Sequence, residues 1–243
     1  MQFVPDVAPY EHMKIRILNG GHAAIAYPAA LLDIHFVHEA MEDADIRAFL
    51  AKLERLVTVM MLRGTDPNLV LDRYAAVVRE MKARRAADLP SLELSDVERA
   101  EARRSLADNR FGLRDRFRMP MLLKINDLIS REVLDIDPKT VSCEHILPRN
   151  APAGSPWRSA FRAQDGRRYE GGRYVHMLGN LTVLAHAENR QADTLPFDDK
   201  RPIFKRSAFA ISNDVAKNKA WNPQIVVART ERLARLLADH LKL

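Results

Sequence analysis

The sequence predicts a mainly α protein of the α+β class, helical over most of its length, with one small strand–loop–strand–helix unit in its C-terminal part. Three observations predict it. Apolar residues recur at i, i+3, i+4 and i+7 through several long stretches before residue 135. Short β-branched alternation is confined to Thr140-Val141-Ser142-Cys143 and Leu181-Thr182-Val183-Leu184. The composition, 47% hydrophobic and 29% charged with only 9 Gly and 13 Pro in 243 residues, suits a folded chain rather than a low-complexity one.

In order, Pro9 to Leu32 reads as helix, broken near Asn19-Gly20-Gly21 and bent or restarted at Pro28. Asp45 to Arg63 is a helix whose apolar stripe is Ile46, Phe49, Leu50, Leu53, Leu56, Val57 and Met60, with Gly64 as its stop. Asn68 to Arg85 is a third, burying Leu69, Leu71, Tyr74, Val77, Val78 and Met81. Ser95-Asp96-Val97-Glu98 has the spacing of an N-cap with a capping-box glutamate and opens a charged fourth helix. Pro120 to Leu134 is a fifth, with proline in its opening turn. The two strands follow, joined by a polar loop of about thirty residues, a length that is usually functional or disordered. Ala187 to Asp193 is a short helix after the second strand. Pro223 to Leu241 is the last, with Ile225, Val226, Leu233, Leu236 and Leu237 apolar and Arg229, Arg232 and Arg235 on its polar side.

Charge is uneven along the chain. The whole carries +6, with a pI near 9.6. Residues 1–50 carry 3 basic and 7 acidic side chains, whereas residues 141–243 carry 17 and 10. A basic C-terminal part points modestly to nucleic acid, but on charge alone a solvated basic face is the favoured explanation. The single cysteine, Cys143, excludes an internal disulfide and a cysteine-rich zinc site. Apolar stretches such as Leu56 to Leu62 are too short for a membrane span, and no signal peptide is evident, so a cytoplasmic protein without a membrane partner is expected.

The informative constellation lies between residues 144 and 189. Glu144-His145-Ile146-Leu147-Pro148 leaves the first strand, Gly179-Asn180 enters the second, and Asn189 sits on the short helix behind it. The series continues with Phe197, Lys200, Ser207, Trp221, Arg229 and Leu233, and Trp157 lies in the loop. This pattern resembles the HNH (His-Me finger) nuclease, a ββα-metal unit. More closely, it resembles the C-terminal domain of GmrSD-type modification-dependent restriction endonucleases. The helical stretch from Leu53 to Leu134 looks like the region that precedes the finger in that family.

The resemblance implies a metal-dependent endonuclease that hydrolyses DNA phosphodiester bonds within a restriction system. A separate nucleotide-hydrolysing subunit or domain would be its partner. Such hydrolysis needs an activated water and neutralised phosphate charge. An imidazole, with an ordinary pKa near ~6.5, can take the water's proton at neutral pH, which fits His145. A hard ion such as Mg²⁺, or Mn²⁺ in its place, takes oxygen ligands, so Glu144 and Asn189 are the metal ligands the resemblance implies. It gives Asn180 the task of holding the His-bearing loop. Neighbouring strand residues point to opposite sides, so Glu144 and His145 share one site only if the chain turns there. Arg149, Arg190 and Lys200 are candidate phosphate contacts. Trp157 and Trp221 read as packing residues, and Cys143 as a small buried one.

A second resemblance occupies the N-terminus. Lys14, Asn19 and His22, within Tyr10 to His22, resemble the catalytic helix of long-chain mannitol dehydrogenases and fructuronate reductases. His38-Glu39 and Arg47-Ala48-Phe49-Leu50 fit the same family. It implies a lysine base acting on the substrate hydroxyl, oriented by Asn and His. The sequence has no G-x-G-x-x-G, and the family's dinucleotide-binding domain would precede this segment. Dehydrogenase activity is therefore not expected. The chain divides accordingly into residues 1–52, a dehydrogenase-like fragment; 53–138, a helical region; and 139–243, the nuclease domain with its C-terminal helix. Two other functions remain open: a DNA-binding module without cleavage, and a fragment of an NAD-dependent polyol dehydrogenase.

Overall fold

The structure is a computed structural model describing residues 20–32, 34–81, 89–113, 115–132, 134, 136–163, 166 and 168–243. It is mostly helical with one two-stranded antiparallel sheet, as expected of an α+β chain. The chain divides into two compact units, residues 1–99 and 100–243. Among the described residues no helix is long and apolar enough to cross a membrane.

In the first unit, α1 (Gly20–Leu31), α2 (Val37–Glu42) and α3 (Ala44–Arg63) pack together around Ile25, Ala29, Ala40 and Ile46. The helix continues through Pro28 and does not restart there. The expected helical residues before 20 lie outside the described residues. Helix α2 lacked the length to show a helical period, so sequence reasoning missed it. The α3 stripe forms as the spacing predicts. Ile46, Phe49, Leu56 and Met60 are buried, Asp43 caps the start by accepting from the Ile46 N–H at 2.9 Å, and Gly64 ends the helix at φ 71°. The third helix is α4 (Pro67–Met81); Val77 is buried, but Leu69 is 56% exposed rather than part of the core.

The capping box forms at Asp96–Ala107, the helix α5. Glu98 N–H donates to Ser95 Oγ at 3.3 Å, while the Glu98 carboxylate accepts from Ser95 N–H at 2.9 Å. Arg63 and Arg73 bind the same carboxylate at 3.1 and 2.7 Å. Burial raises the Glu98 pKa, but Ser95 and Arg73 outweigh it and hold the carboxyl below its ordinary 4.5. A depressed folded pKa stabilises the fold only while the carboxylate is ionised. That contribution is complete above the ordinary carboxylate range and disappears as pH falls through the lowered value. Chemical denaturation between neutral pH and pH ~3 should show stability falling with acid, and Glu98→Gln should flatten that fall.

In the second unit, β1 (Val141–His145) pairs antiparallel with β2 (Leu181–Ala185), placing Glu144 opposite Thr182 and His145 opposite Leu181. Helix α6 (Asp115–Ser130) lies against both strands. It begins five residues before Pro120, so the proline is inside the helix rather than in its opening turn. The connection between the strands is not structureless. It contains α7 (Pro156–Ala160), an Arg162–Tyr169 bridge and 3-10 turns at Gly171–Arg173 and Leu178–Asn180. After β2 come α8 (His186–Ala192), α9 (Phe197–Arg206), α10 (Ala210–Ala216) and α11 (Pro223–His240). Helices α9 and α10 were not foreseen. The core gathers Ile146, Leu147, Trp157, Phe161, Leu184, Phe197, Phe204, Trp221 and Val226. Trp157 and Trp221 are each 2% exposed, so both are packing residues, and Trp221 stacks on Phe197 at 5.4 Å. Cys143 is half-buried.

Helix α11 locks the entry to β2. The Gly179 N–H donates to Thr230 Oγ1 at 2.9 Å, and Arg229 Nη1 donates to the carbonyls of Gly179 and Leu181, each at 2.8 Å. Arg229 is therefore an internal clamp, 4% exposed, and not part of the helix's solvated face. A Cβ at Gly179 would fall 2.7 Å from the Thr230 backbone nitrogen and closer still to the Val226 carbonyl. Backbone cannot swing aside as a side-chain tip can. Gly179→Ala should lower the unfolding free energy by about 3 kcal/mol, the upper end for overpacking, read as a lower urea midpoint at constant slope.

Candidate active site

The site is built on β1, β2 and α8. Strand β1 continues through His145, so Glu144 and His145 follow the strand's alternation and diverge. The turn that would have brought them together comes only after His145. Each side chain finds a different partner.

Glu144, 5% exposed, meets Lys200 of α9, which is fully buried, with Oε1 to Nζ at 2.5 Å. Lys200 Nζ also donates to the carbonyls of His145 and Ile146, each at 3.2 Å. Three acceptors surround an ammonium with three protons. Lys200 therefore has no donor left for a phosphate, and the expectation that it contacts one is corrected. Burial pushes the Glu144 carboxyl up and the Lys200 ammonium down, while each charge pulls the other back. Arg149 and Arg190 are exposed, as phosphate contacts would be.

His145 turns to His176 instead, Nε2 to Nδ1 at 3.3 Å, with the rings edge-on at 87°. Burial, then the nearby His176, Arg149, Arg118 and Lys200, push the His145 pKa down to about 3. That lies well below the ordinary ~6.5 on which the expectation of a general base rested, so the imidazole is neutral at physiological pH and a weaker base than its residue type implies. The sequence offered no signal for His176 as its partner, because the two residues are 31 positions apart with no fixed spacing between their elements.

Asn180 is fully buried at the centre. Its Oδ1 accepts from Leu147 N–H at 2.8 Å and from Trp221 Nε1–H at 3.0 Å. Its Nδ2 donates to the carbonyls of Leu147 and Val175, both at 3.0 Å. One amide thus ties together the loop after His145 and the segment before His176. A buried amide with its donors and acceptor satisfied is a rigid fixture rather than a reacting group.

Asn189 of α8 reaches back to β1. Its Nδ2 donates to Ser142 Oγ at 2.6 Å and to the Cys143 carbonyl at 3.4 Å. Its donors are thereby used by the strand, leaving Oδ1 as the atom suited to a cation. Ser142, His186, Asn189, Arg190 and Asp193 line an open cleft of about 490 Å³. Ser142 and Glu144, two residues apart, lie on the same side of β1. Asp193, at the end of α8, stands at φ 32°, an uncommon backbone for a non-glycine residue. His186 Nε2 donates to the Lys139 carbonyl at 2.7 Å. Among the described residues no group of three His, Cys, Asp or Glu side chains converges as a metal cluster. Lys14 and Asn19 lie outside the described residues, and so does the His22 side chain.

Residues 96–236, more than half of the chain, match the family model of the C-terminal domain of GmrSD restriction endonucleases. The chain belongs to this family. The GmrSD match begins well after Leu53 and contains all of β1, β2 and α8. Residues 6–80 separately match the mannitol dehydrogenase C-terminal domain, reaching past Lys52, where the likeness had been expected to end. A mannitol 2-dehydrogenase of Cereibacter sphaeroides is 65% identical over 52 residues, 21% of this chain and 11% of the relative. A D-arabinitol 4-dehydrogenase of Ralstonia nicotianae is 41% identical over 80 residues, 32% of this chain and 17% of the relative. A mannitol dehydrogenase of Saccharomyces cerevisiae is 36% identical over 80 residues, 33% and 16% of the two chains. The chain thus spans less than a fifth of these relatives. The two matched stretches are consistent with a fusion. No solved structure matches.

Proposed function

We propose that the GmrSD-like part is an HNH endonuclease that hydrolyses DNA phosphodiester bonds with Mg²⁺ or Mn²⁺, as part of a modification-dependent restriction system. The observation that carries this reading is the match of β1, β2 and α8 to the restriction-endonuclease domain, with His145 at the end of β1. In the reaction, a ring nitrogen of His145 takes a proton from water. The water oxygen forms a bond to phosphorus, the bond from phosphorus to the 3′ oxygen breaks, and the 3′ oxygen takes a proton from solvent to leave as a hydroxyl. Arg149 and Arg190 are the exposed cations suited to the phosphate's charge, and Asn180 keeps the histidine loop fixed.

The donor atoms fit a hard dication in kind. Asn189 keeps a carbonyl oxygen available, and Glu144 offers a carboxylate on the same side of β1 as Ser142. Lys200 already holds that carboxylate, so an ion would share it with the ammonium. When bound, the ion would neutralise charge on the phosphate and the leaving oxygen. A separate nucleotide-hydrolysing restriction subunit is the partner this reading carries with it.

Binding and cleavage measured together test the proposal. Wild type should bind DNA with steep salt dependence and cleave it when Mg²⁺ or Mn²⁺ is added. Salt-dependent binding without cleavage under either ion, with any partner subunit present, would instead identify a DNA-binding module. A second reading rests on the dehydrogenase match over residues 6–80. It assigns polyol oxidation to the N-terminal part, with Lys14 as base and Asn19 and His22 orienting the hydroxyl. NAD⁺ reduction with mannitol, lost in Lys14→Ala, would support it.

A further inference from the structure

From the contact between the two imidazoles, we infer that His176 is a positioning residue that fixes the tautomer of His145. It does so by accepting a hydrogen bond from His145 Nε2–H, which leaves Nδ1 as the proton-accepting atom. The inference rests on the nuclease reading for its purpose, but its geometry stands apart from it.

A neutral imidazole has one N–H and one lone pair, and which nitrogen holds the proton is set by the partner of the other. His145 Nε2 lies 3.3 Å from His176 Nδ1, so one of the two must donate and the other accept. Two ring nitrogens facing each other at that distance hold a single proton between them. If that proton belongs to His145 Nε2, the opposite nitrogen carries the lone pair needed to deprotonate water. The reverse arrangement would place the His145 lone pair against His176 and leave no basic atom for water.

The partner is also held in place. The Gly112 N–H donates to the His176 carbonyl at 2.6 Å, and a Cβ at Gly112 would meet the His176 backbone at 3.1 Å. That close approach suits a residue without a side chain. Arg118 Nη1 donates in turn to the Gly112 carbonyl. On the other side, Asn180 Nδ2 holds the Val175 carbonyl next to His176. Asn180 therefore fixes the segments carrying both histidines, and their relative placement is set by one buried amide. When His145 becomes imidazolium after taking the proton, the lone pair of His176 Nδ1 remains against its Nε2–H and stabilises the cation. No bond to His176 forms or breaks.

The test reads the tautomer directly. Long-range ¹H–¹⁵N spectra of ¹⁵N-histidine-labelled full chain at neutral pH report which ring nitrogen is protonated, with His145→Asn supplying the assignment. Wild type should show His145 as the Nε2–H tautomer. His176→Asn should retain it, because the amide oxygen can stand where Nδ1 stood. His176→Ala should give a mixture, with cleavage slowed about 10–100-fold, as for loss of other groups that orient a functional histidine, and KM little changed. A wild-type His145 in the Nδ1–H form, or a His145 spectrum unmoved by His176→Ala, overturns the inference. Should His176→Ala fail to fold, the wild-type and His176→Asn spectra decide it. Failure of the nuclease reading looks different: no cleavage by wild type, with the tautomer still locked.

Discussion

Lys200→Met is expected to lower the unfolding free energy by about 3–5 kcal/mol, because it strands the Glu144 carboxylate in a buried site without its counter-charge. The size follows from burial. Lys200 is fully buried and Glu144 is 5% exposed, so water screens the pair poorly and cannot replace the lost ammonium. The His145 and Ile146 carbonyls lose a donor at the same time. Trp157, whose ring centroid lies 5.9 Å from the ammonium, loses a cation on its face. The double variant Glu144→Leu/Lys200→Met separates the pair's net worth from the penalty of breaking it. Removing both charges leaves no stranded ion, so the double variant should be more stable than Lys200→Met alone. Urea denaturation of wild type, Lys200→Met and the double variant checks this. A single-variant loss below about 1 kcal/mol, the usual worth of an exposed ion pair, would mean that Glu144 and Lys200 are solvated.

How much of this was legible in the sequence depends on the range of the interaction concerned. The α3 stripe, the Gly64 stop and the Ser95–Glu98 box depend on residues within one or two turns, and each formed as its spacing predicts. The two strands and the short helix behind them were placed nearly to the residue. Helices α9 and α10 were missed. Phe197 to Arg206 carries two acidic residues, four basic ones and an internal proline, and only its packing reveals the buried side at Phe197, Lys200, Ile203 and Phe204. Pattern reading places charged residues on the outside, so it could not foresee Lys200 and Arg229 inside. Both donate from inside the fold to backbone carbonyls, Lys200 to those of His145 and Ile146 and Arg229 to those of Gly179 and Leu181.

The candidate site divides in the same way. The residue types at 144, 145, 180 and 189 could be read from the motif, and the Asn180 side chain hydrogen-bonds the backbone of Leu147, two residues after His145. The divergence of Glu144 from His145 follows because the strand runs two residues past Cys143, through both of them, and successive strand side chains face opposite sides. His176 and Asp193 carry no motif spacing and are brought to the site by the fold alone.

Loss of cleavage in His145→Ala is the second large effect expected. A positioned general base contributes roughly 10²–10⁴-fold to such a reaction, and alanine leaves no proton acceptor at the end of β1. The substitution should spare the fold, because Asn180 holds the loop through the backbone of Leu147 rather than through the imidazole. The deciding measurement is the conversion of supercoiled plasmid by wild type and His145→Ala, with Mg²⁺ or Mn²⁺ and any nucleotide-hydrolysing partner subunit supplied. The account predicts nicked or linear DNA with wild type and at least about 100-fold less with the variant; equal cleavage by the two proteins would contradict it.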